Sequence, residues 1–216
     1  MYPARMLVLA SASPRRRDLL TQAGYEFTVL PADVDEDPRP GESPIDYVLR
    51  LALEKADAVA ASPEYAALAQ ARAQPPIILG ADTTVVAPNG EILGKPESDM
   101  DAARMLRLLS GATHQVITGV ALLAGSLRES AAEVTHVTML TPTGEEIADY
   151  VATGEPRGKA GAYAIQGRAA RWIPRIRGCY FNVVGLPLAL VAGMIAGVEE
   201  RLARAQSFTG SLQKQE

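Results

Sequence analysis

The sequence predicts a single α/β domain built around an open sheet. Three observations carry that expectation. Short apolar runs at Leu7–Leu9 and from Ile77 onward are too short for helices and read as buried strands. Segments with cap-then-proline or cap-then-acid signals read as helices between them, and Gly and Pro punctuate the junctions.

The chain has 216 residues, 48% of them hydrophobic, enough for one sizeable core; the domain is drawn over 1–204, with 205–216 expected to be a flexible tail. The formal net charge is −4, so the early arginine cluster is a local feature, which argues against a binder of nucleic-acid polymers. Cys179 is the one cysteine, which excludes an internal disulfide framework and a Cys-rich zinc site and fits a reducing compartment. A signal-like apolar start and a bilayer-length apolar run are both lacking. The expectation is a cytoplasmic protein with no membrane partner.

The first run continues as Ala10-Ser11-Ala12-Ser13-Pro14-Arg15-Arg16-Arg17. Ser13 suits the N-cap and Pro14 the first helical position, so amides, hydroxyls and guanidinium groups gather at one helix start. Composition alone does not separate an anion cradle from a solvated basic helix start. That helix should stop at Gly24, followed by a strand over Glu26–Leu30. Asp33, Asp35, Glu36 and Asp37 then fall in a loop with Pro38, Pro40 and Gly41, either solvated or holding a hard cation.

Ser43-Pro44-Ile45-Asp46 opens a helix to about Ala61 with a buried stripe of Ile45, Val48, Leu49, Ala52, Ala56 and Val59; spacing leaves Lys55 exposed. Residues 62–76 suggest an extra helical turn or loop. Asp82 follows the apolar run from Ile77, either as a turn aspartate or facing a ligand crevice at a strand end. Asn89-Gly90 signals a hairpin leading to Gly94-Lys95-Pro96, and Ser98 caps a helix that buries Ala102, Met105, Leu106 and Leu109. Gln115–Ala124 and Glu133–Met139 read as antiparallel strands across a loop from Gly125 to Ser130; His114 and His136 lack metal-site spacing. Thr143-Gly144-Glu145-Glu146 is a capping box. In Gly158–Gly167 small residues flank Lys159, Tyr163 and Gln166, allowing close approach of a ligand or simply tight packing. Trp172–Ile176 and Tyr180–Val184 read as strands and Leu186–Ala196 as a closing helix.

Four stretches taken together, Leu9–Arg16, Gly80-Ala81-Asp82-Thr83, Lys159–Gly167 and Asn182–Leu188, resemble the Maf family of nucleoside triphosphate pyrophosphatases. Gly94-Lys95-Pro96 and Leu108–Gly111 fall between them in the matching order. The resemblance implies a mixed, elongated sheet in two lobes with a central cleft, similar to the inosine triphosphate pyrophosphatases. It implies hydrolysis of a nucleoside triphosphate to monophosphate and pyrophosphate with a divalent metal, Mg²⁺ or Mn²⁺. Asp82 matches the family's proton acceptor; Arg15, Thr83 and Gln166 match positions of substrate choice; Glu36, Lys55 and Lys95 match further polar active-site positions. The Gln166 segment resembles the subgroup acting on dTTP and UTP. Gly158, Ala164 and Cys179 depart from the residues common there, and Gly158 removes a carboxylate beside Lys159.

On this basis Asp82 and Glu36 are expected to share the metal, and Arg15, Arg16, Lys55 and Lys95 to neutralise the triphosphate. Ser11, Ser13 and Lys159 complete the expected binding set, with Thr83 and Gln166 reading the base. Two other readings stand beside this one: a nucleotide-binding regulator of cell division without significant turnover, and a pyrophosphatase for another modified nucleotide. A house-cleaning role fits the chemistry. A homodimer is neither shown nor forbidden by the sequence.

Overall fold

The computed structural model describes residues 5–212. Its centre is a seven-stranded mixed sheet. Strand β1 (Leu7–Leu9) lies between β2 (Phe27–Val29) and β3 (Ile77–Val86), parallel to both. Helix α1 (Pro14–Gln22) makes the crossover that parallel β1 and β2 require. Beyond β3 the order continues antiparallel through β5 (Thr113–Ala124), β6 (Leu127–Thr138) and β7 (Arg175–Arg177), while the short β4 (Ile92–Leu93) pairs with the far end of β3. The expected α/β architecture with a mixed sheet is present.

Side-chain alternation divides the core. Leu7, Leu9, Leu79 and Ala81 face the larger cluster, which includes α4 (Asp99–Leu109), α5 (Gly144–Ala152) and α7 (Leu188–Leu212). Val8, Ala10 and Ile78 face α2 (Pro44–Ala60). Local signals set these helices. Ser43 accepts from Asp46 N, Ser98 from Asp101 N, and Thr143 forms the expected capping box with Glu146. Ser62 caps α3 (Pro63–Gln70), a further helix within the stretch left open between 62 and 76.

Helix α2 lies unusually close to the sheet, and two glycines explain it. A Cβ on Gly80 would sit 2.1 Å from Ala52 O, and one on Gly119, the β5 partner of Asp82, would sit 2.3 Å from Val48 O. Neither position has room for a side chain.

Several expectations are corrected. Asp82 does not end its strand: β3 runs on to Val86, because Thr83–Val86 find a full ladder on β5. Tyr180–Val184 is helix α6, not a strand; a five-residue segment is too short to show a period, and Gly178 and Gly185, both at positive φ, bracket a single helical segment. Trp172 ends a 3₁₀ turn over Arg168–Trp172, so only Arg175–Arg177 of the next run is strand. Ile45 is 44% exposed, whereas Tyr47, Leu51 and Lys55 are buried on α2. The supposed loop after Gly125 is a tight turn at Gly125 and Ser126, with Ala124 paired to Leu127.

Helix α7 begins at Leu188 and continues through Leu212, past the point at which a tail is expected; the last four residues of that segment lie outside the described residues. Among the described residues, no helix is long and apolar enough to cross a membrane.

Candidate active site

The site occupies a gap in the edge of β3. Strand β5 pairs with β3 from Ile78 to Val86, so β1 and β4 share the opposite edge. There β1 covers only Ile77–Leu79 and β4 only Val85 and Val86. The edge between them is left to side chains, Arg16 donating to Ala81 O there. Pleating sends Asp82 toward α2 and Thr83 toward α1 and α6, so the two residues furnish opposite walls.

On the α2 wall, Lys55 Nζ donates to Asp82 Oδ1 and to Glu36 Oε1, both at 2.6 Å, and Lys95 Nζ donates to Glu36 Oε2 at 3.0 Å. The close seating of α2 on Gly80 and Gly119 brings Lys55 to this carboxylate. Spacing placed Lys55 at the surface; the structure buries it, four residues from both Leu51 and Val59 on the inward stripe. Burial alone would raise the Glu36 carboxyl, but the hydrogen bonds and charges of Lys55 and Lys95 hold it at about 2. The Tyr47 hydroxyl donates to Glu36 O (2.8 Å) and fixes the loop that carries it. Burial, with Asp82 and Glu36 nearby, raises that phenol to about 12.

On the opposite wall, Arg16 is buried and largely committed to the protein. Its Nε donates to Gly185 O (2.8 Å), Nη1 to Ser11 Oγ (2.9 Å) and Ala81 O (2.8 Å), and Nη2 to Thr83 Oγ1 (3.0 Å). A guanidinium has five N–H donors, and four of these are used. Arg16 therefore fills part of the open β3 edge and ties it to the end of α6. Thr83 Oγ1 lies 2.9 Å from Thr118 Oγ1, which donates to Asn182 O at 3.2 Å. Ser13 occupies the N-cap of α1 without a side-chain cap bond; its N–H donates to Ser11 Oγ.

Arg15 is less committed: its contacts to Val184 O and Gly158 O are long, at 3.3 and 3.5 Å, and partial burial lowers its pKa. Lys159 donates to Glu155 O, a backbone acceptor, so its ammonium is held without a carboxylate at position 158. Gly158 is in the left-handed region at φ +68°. Burial, then Arg15, lowers Lys159 against the opposing pull of Glu155.

One cavity of about 420 Å³ collects every expected residue: Ser11, Ser13, Arg15, Arg16, Glu36, Lys55, Asp82, Thr83, Lys95, Lys159 and Gln166. Gln166 stands exposed in a turn at its rim. Sequence reasoning assigned no individual role to Tyr47 or Asn182. Tyr47 shares the four-residue spacing of Leu51 and Lys55, a signal that was available; Asn182 donates to Val116 O and Thr135 Oγ1, far along the chain.

The donor set also bears on a metal. Asp82 accepts from a protein donor only through Oδ1 among the described residues, and Glu36 stands across Lys55 from it. Two carboxylates lining that cavity match the way Mg²⁺ is held, by one or two carboxylates plus substrate phosphates. No cluster of three or more His, Cys, Asp or Glu ligands occurs among the described residues.

A cleft with paired carboxylates on one wall and arginine and lysine opposite defines a site for a phosphate-bearing small molecule. A family model described as Maf-like protein matches residues 6–198, and the chain belongs to that family. It is 50% identical over 194 residues to the dTTP/UTP pyrophosphatase of Koribacter versatilis, covering 89% of this chain and 95% of that protein. It is 51% identical over 187 residues to the dTTP/UTP pyrophosphatase of Geobacter sp. strain M21, covering 86% and 91%. Among solved structures, the Ham1 protein of Staphylococcus aureus aligns with a TM-score of 0.43 at 13% identity, covering 89% of this chain and 99% of that one.

Proposed function

We propose that this protein hydrolyses dTTP and UTP to the monophosphate and pyrophosphate. The observation that carries the reading is Asp82, a buried carboxylate held by Lys55 at the floor of a cavity whose other wall presents Arg15 and Lys159. The names of relatives about half identical over most of the chain support the same activity.

In this mechanism Asp82 takes a proton from water, and the water oxygen attacks the α-phosphorus. The bond from that phosphorus to its bridging oxygen breaks, and pyrophosphate leaves with the electron pair. Catalysis of this kind is mostly positioning and charge stabilisation. Lys55 orients Asp82 through their 2.6 Å hydrogen bond, while Arg15, Lys95 and Lys159 meet the charge on the phosphates. Arg16 acts indirectly by fixing Thr83 and the β3 edge. Asp82 and Glu36 would hold a divalent cation, which when bound neutralises phosphate charge and acidifies water. Gln166 at the rim offers an amide donor and acceptor to the carbonyl and imide edge of a pyrimidine.

The proposal extends to a cytoplasmic setting, consistent with a lone cysteine, and leaves room for paired subunits. The test is pyrophosphate release from a panel of canonical and modified triphosphates with Mg²⁺ or Mn²⁺. Turnover led by dTTP and UTP is expected; nucleotide binding without release would overturn the assignment.

A further inference from the structure

The Gln166 side chain stands exposed, yet the turn that carries it is held on both sides. Tyr150, buried on α5 against the edge of Trp172, accepts a hydrogen bond from Ala164 N at 3.2 Å. The same hydroxyl donates to Glu155 Oε1 at 2.9 Å. Glu155 Oε1 in turn accepts from Arg168 N at 2.9 Å, with Oε2 at 3.2 Å from the same nitrogen. The two anchored amides therefore lie two residues before and two residues after Gln166. Gly167 makes this approach possible, since a Cβ there would sit 2.1 Å from Glu155 Oε1. The backbone carbonyl of Glu155 also receives Lys159 Nζ. One residue thus supports both the rim amide and a cation of the phosphate wall.

We propose that Glu155 and Tyr150 are positioning residues for substrate choice, clamping the 164–168 turn so that Gln166 projects from one fixed backbone position at the rim of the cavity. The inference rests on the reading of Gln166 given above. An amide whose backbone anchor drifts can meet uracil or cytosine equally well, because it carries both a donor and an acceptor. Discrimination requires that its backbone be fixed. The Lys159 contact uses a main-chain carbonyl, so changing the Glu155 side chain leaves that acceptor in place.

The test compares kcat and KM for UTP and CTP in the full chain and in Tyr150→Phe, Glu155→Ala, Glu155→Gln and Gln166→Ala, with thermal unfolding alongside. Tyr150→Phe removes only the hydroxyl; it should lower the UTP-over-CTP ratio of kcat/KM roughly tenfold, mainly through KM for UTP, as Gln166→Ala does. Glu155→Ala should do the same, and Glu155→Gln, which keeps an acceptor oxygen, should recover part of the ratio. If Glu155→Ala does not fold, Tyr150→Phe decides. Variants that lose activity on both nucleotides equally would overturn the inference and leave Gln166 as the reader. A ratio unmoved by Gln166→Ala would overturn the base reading and this inference with it.

Discussion

Lys55 Nζ stands 2.6 Å from Asp82 Oδ1, and neither side chain is more than about a tenth exposed. A buried ion pair of this kind is costly to break from one side, because the remaining charge is stranded. Lys55→Met should cost about 3–5 kcal/mol in stability. Adding Asp82→Asn should return part of that loss. Denaturant unfolding of the two single variants and the double gives the cycle; additive losses would mean that the pair is not coupled.

Arg15 and Arg16 are neighbours in sequence with different work to do. Arg16→Lys forfeits most of four hydrogen bonds that a single ammonium cannot replace, so a drop in Tm should dominate. Arg15→Lys should leave Tm nearly unchanged and raise KM for the nucleotide. Equal Tm losses would contradict this division.

Gly80 and Gly119 set the distance between α2 and the sheet. A methyl at Gly80 collides with Ala52 O, so Gly80→Ala should destabilise the fold by about 1–3 kcal/mol and lower kcat by moving Lys55 off Asp82. Full activity in this variant would show that the seating of α2 does not govern the site.

His114 is buried, with Nε2 2.8 Å from the Tyr163 hydroxyl, and burial lowers its pKa from 6.5 to about 4. Between those values the unfolded chain binds a proton that the folded chain does not, so its contribution is complete above pH 6.5 and is lost as pH falls toward about 4. The loss is on the order of 3 kcal/mol across the window. Unfolding of the wild type and His114→Gln from pH 7 to 4 measures it; the difference between them should narrow as pH falls.

The sequence announces its helices because caps are local: Ser43, Ser98 and Thr143 each accept from an N–H three residues on. The site residues were legible through resemblance rather than through chemistry at each position. Lys55 and Asp82 form their pair 27 positions apart. Nothing near either one encodes the meeting, which depends on glycines under α2. Arg16 looked like a phosphate ligand because three arginines at a helix start usually face solvent or anions; its acceptors, Ala81 O and Gly185 O, belong to distant segments. Tyr180–Val184 was misread for the opposite reason, since its composition is that of a strand and only the flanking glycines mark the helix. Glu155 carried no signal because its partners, Tyr150 and the Arg168 amide, meet only after the 158–168 segment folds back on α5.

The most direct test of the central claim is hydrolysis of UTP in heavy-oxygen water, with mass analysis of both products, for the wild type and Asp82→Asn. Attack of water on the α-phosphorus places the label in the monophosphate and none in pyrophosphate. Asp82→Asn should remain folded while turnover falls at least about a hundredfold. Label in pyrophosphate, or undiminished turnover by a folded Asp82→Asn protein, would contradict the account.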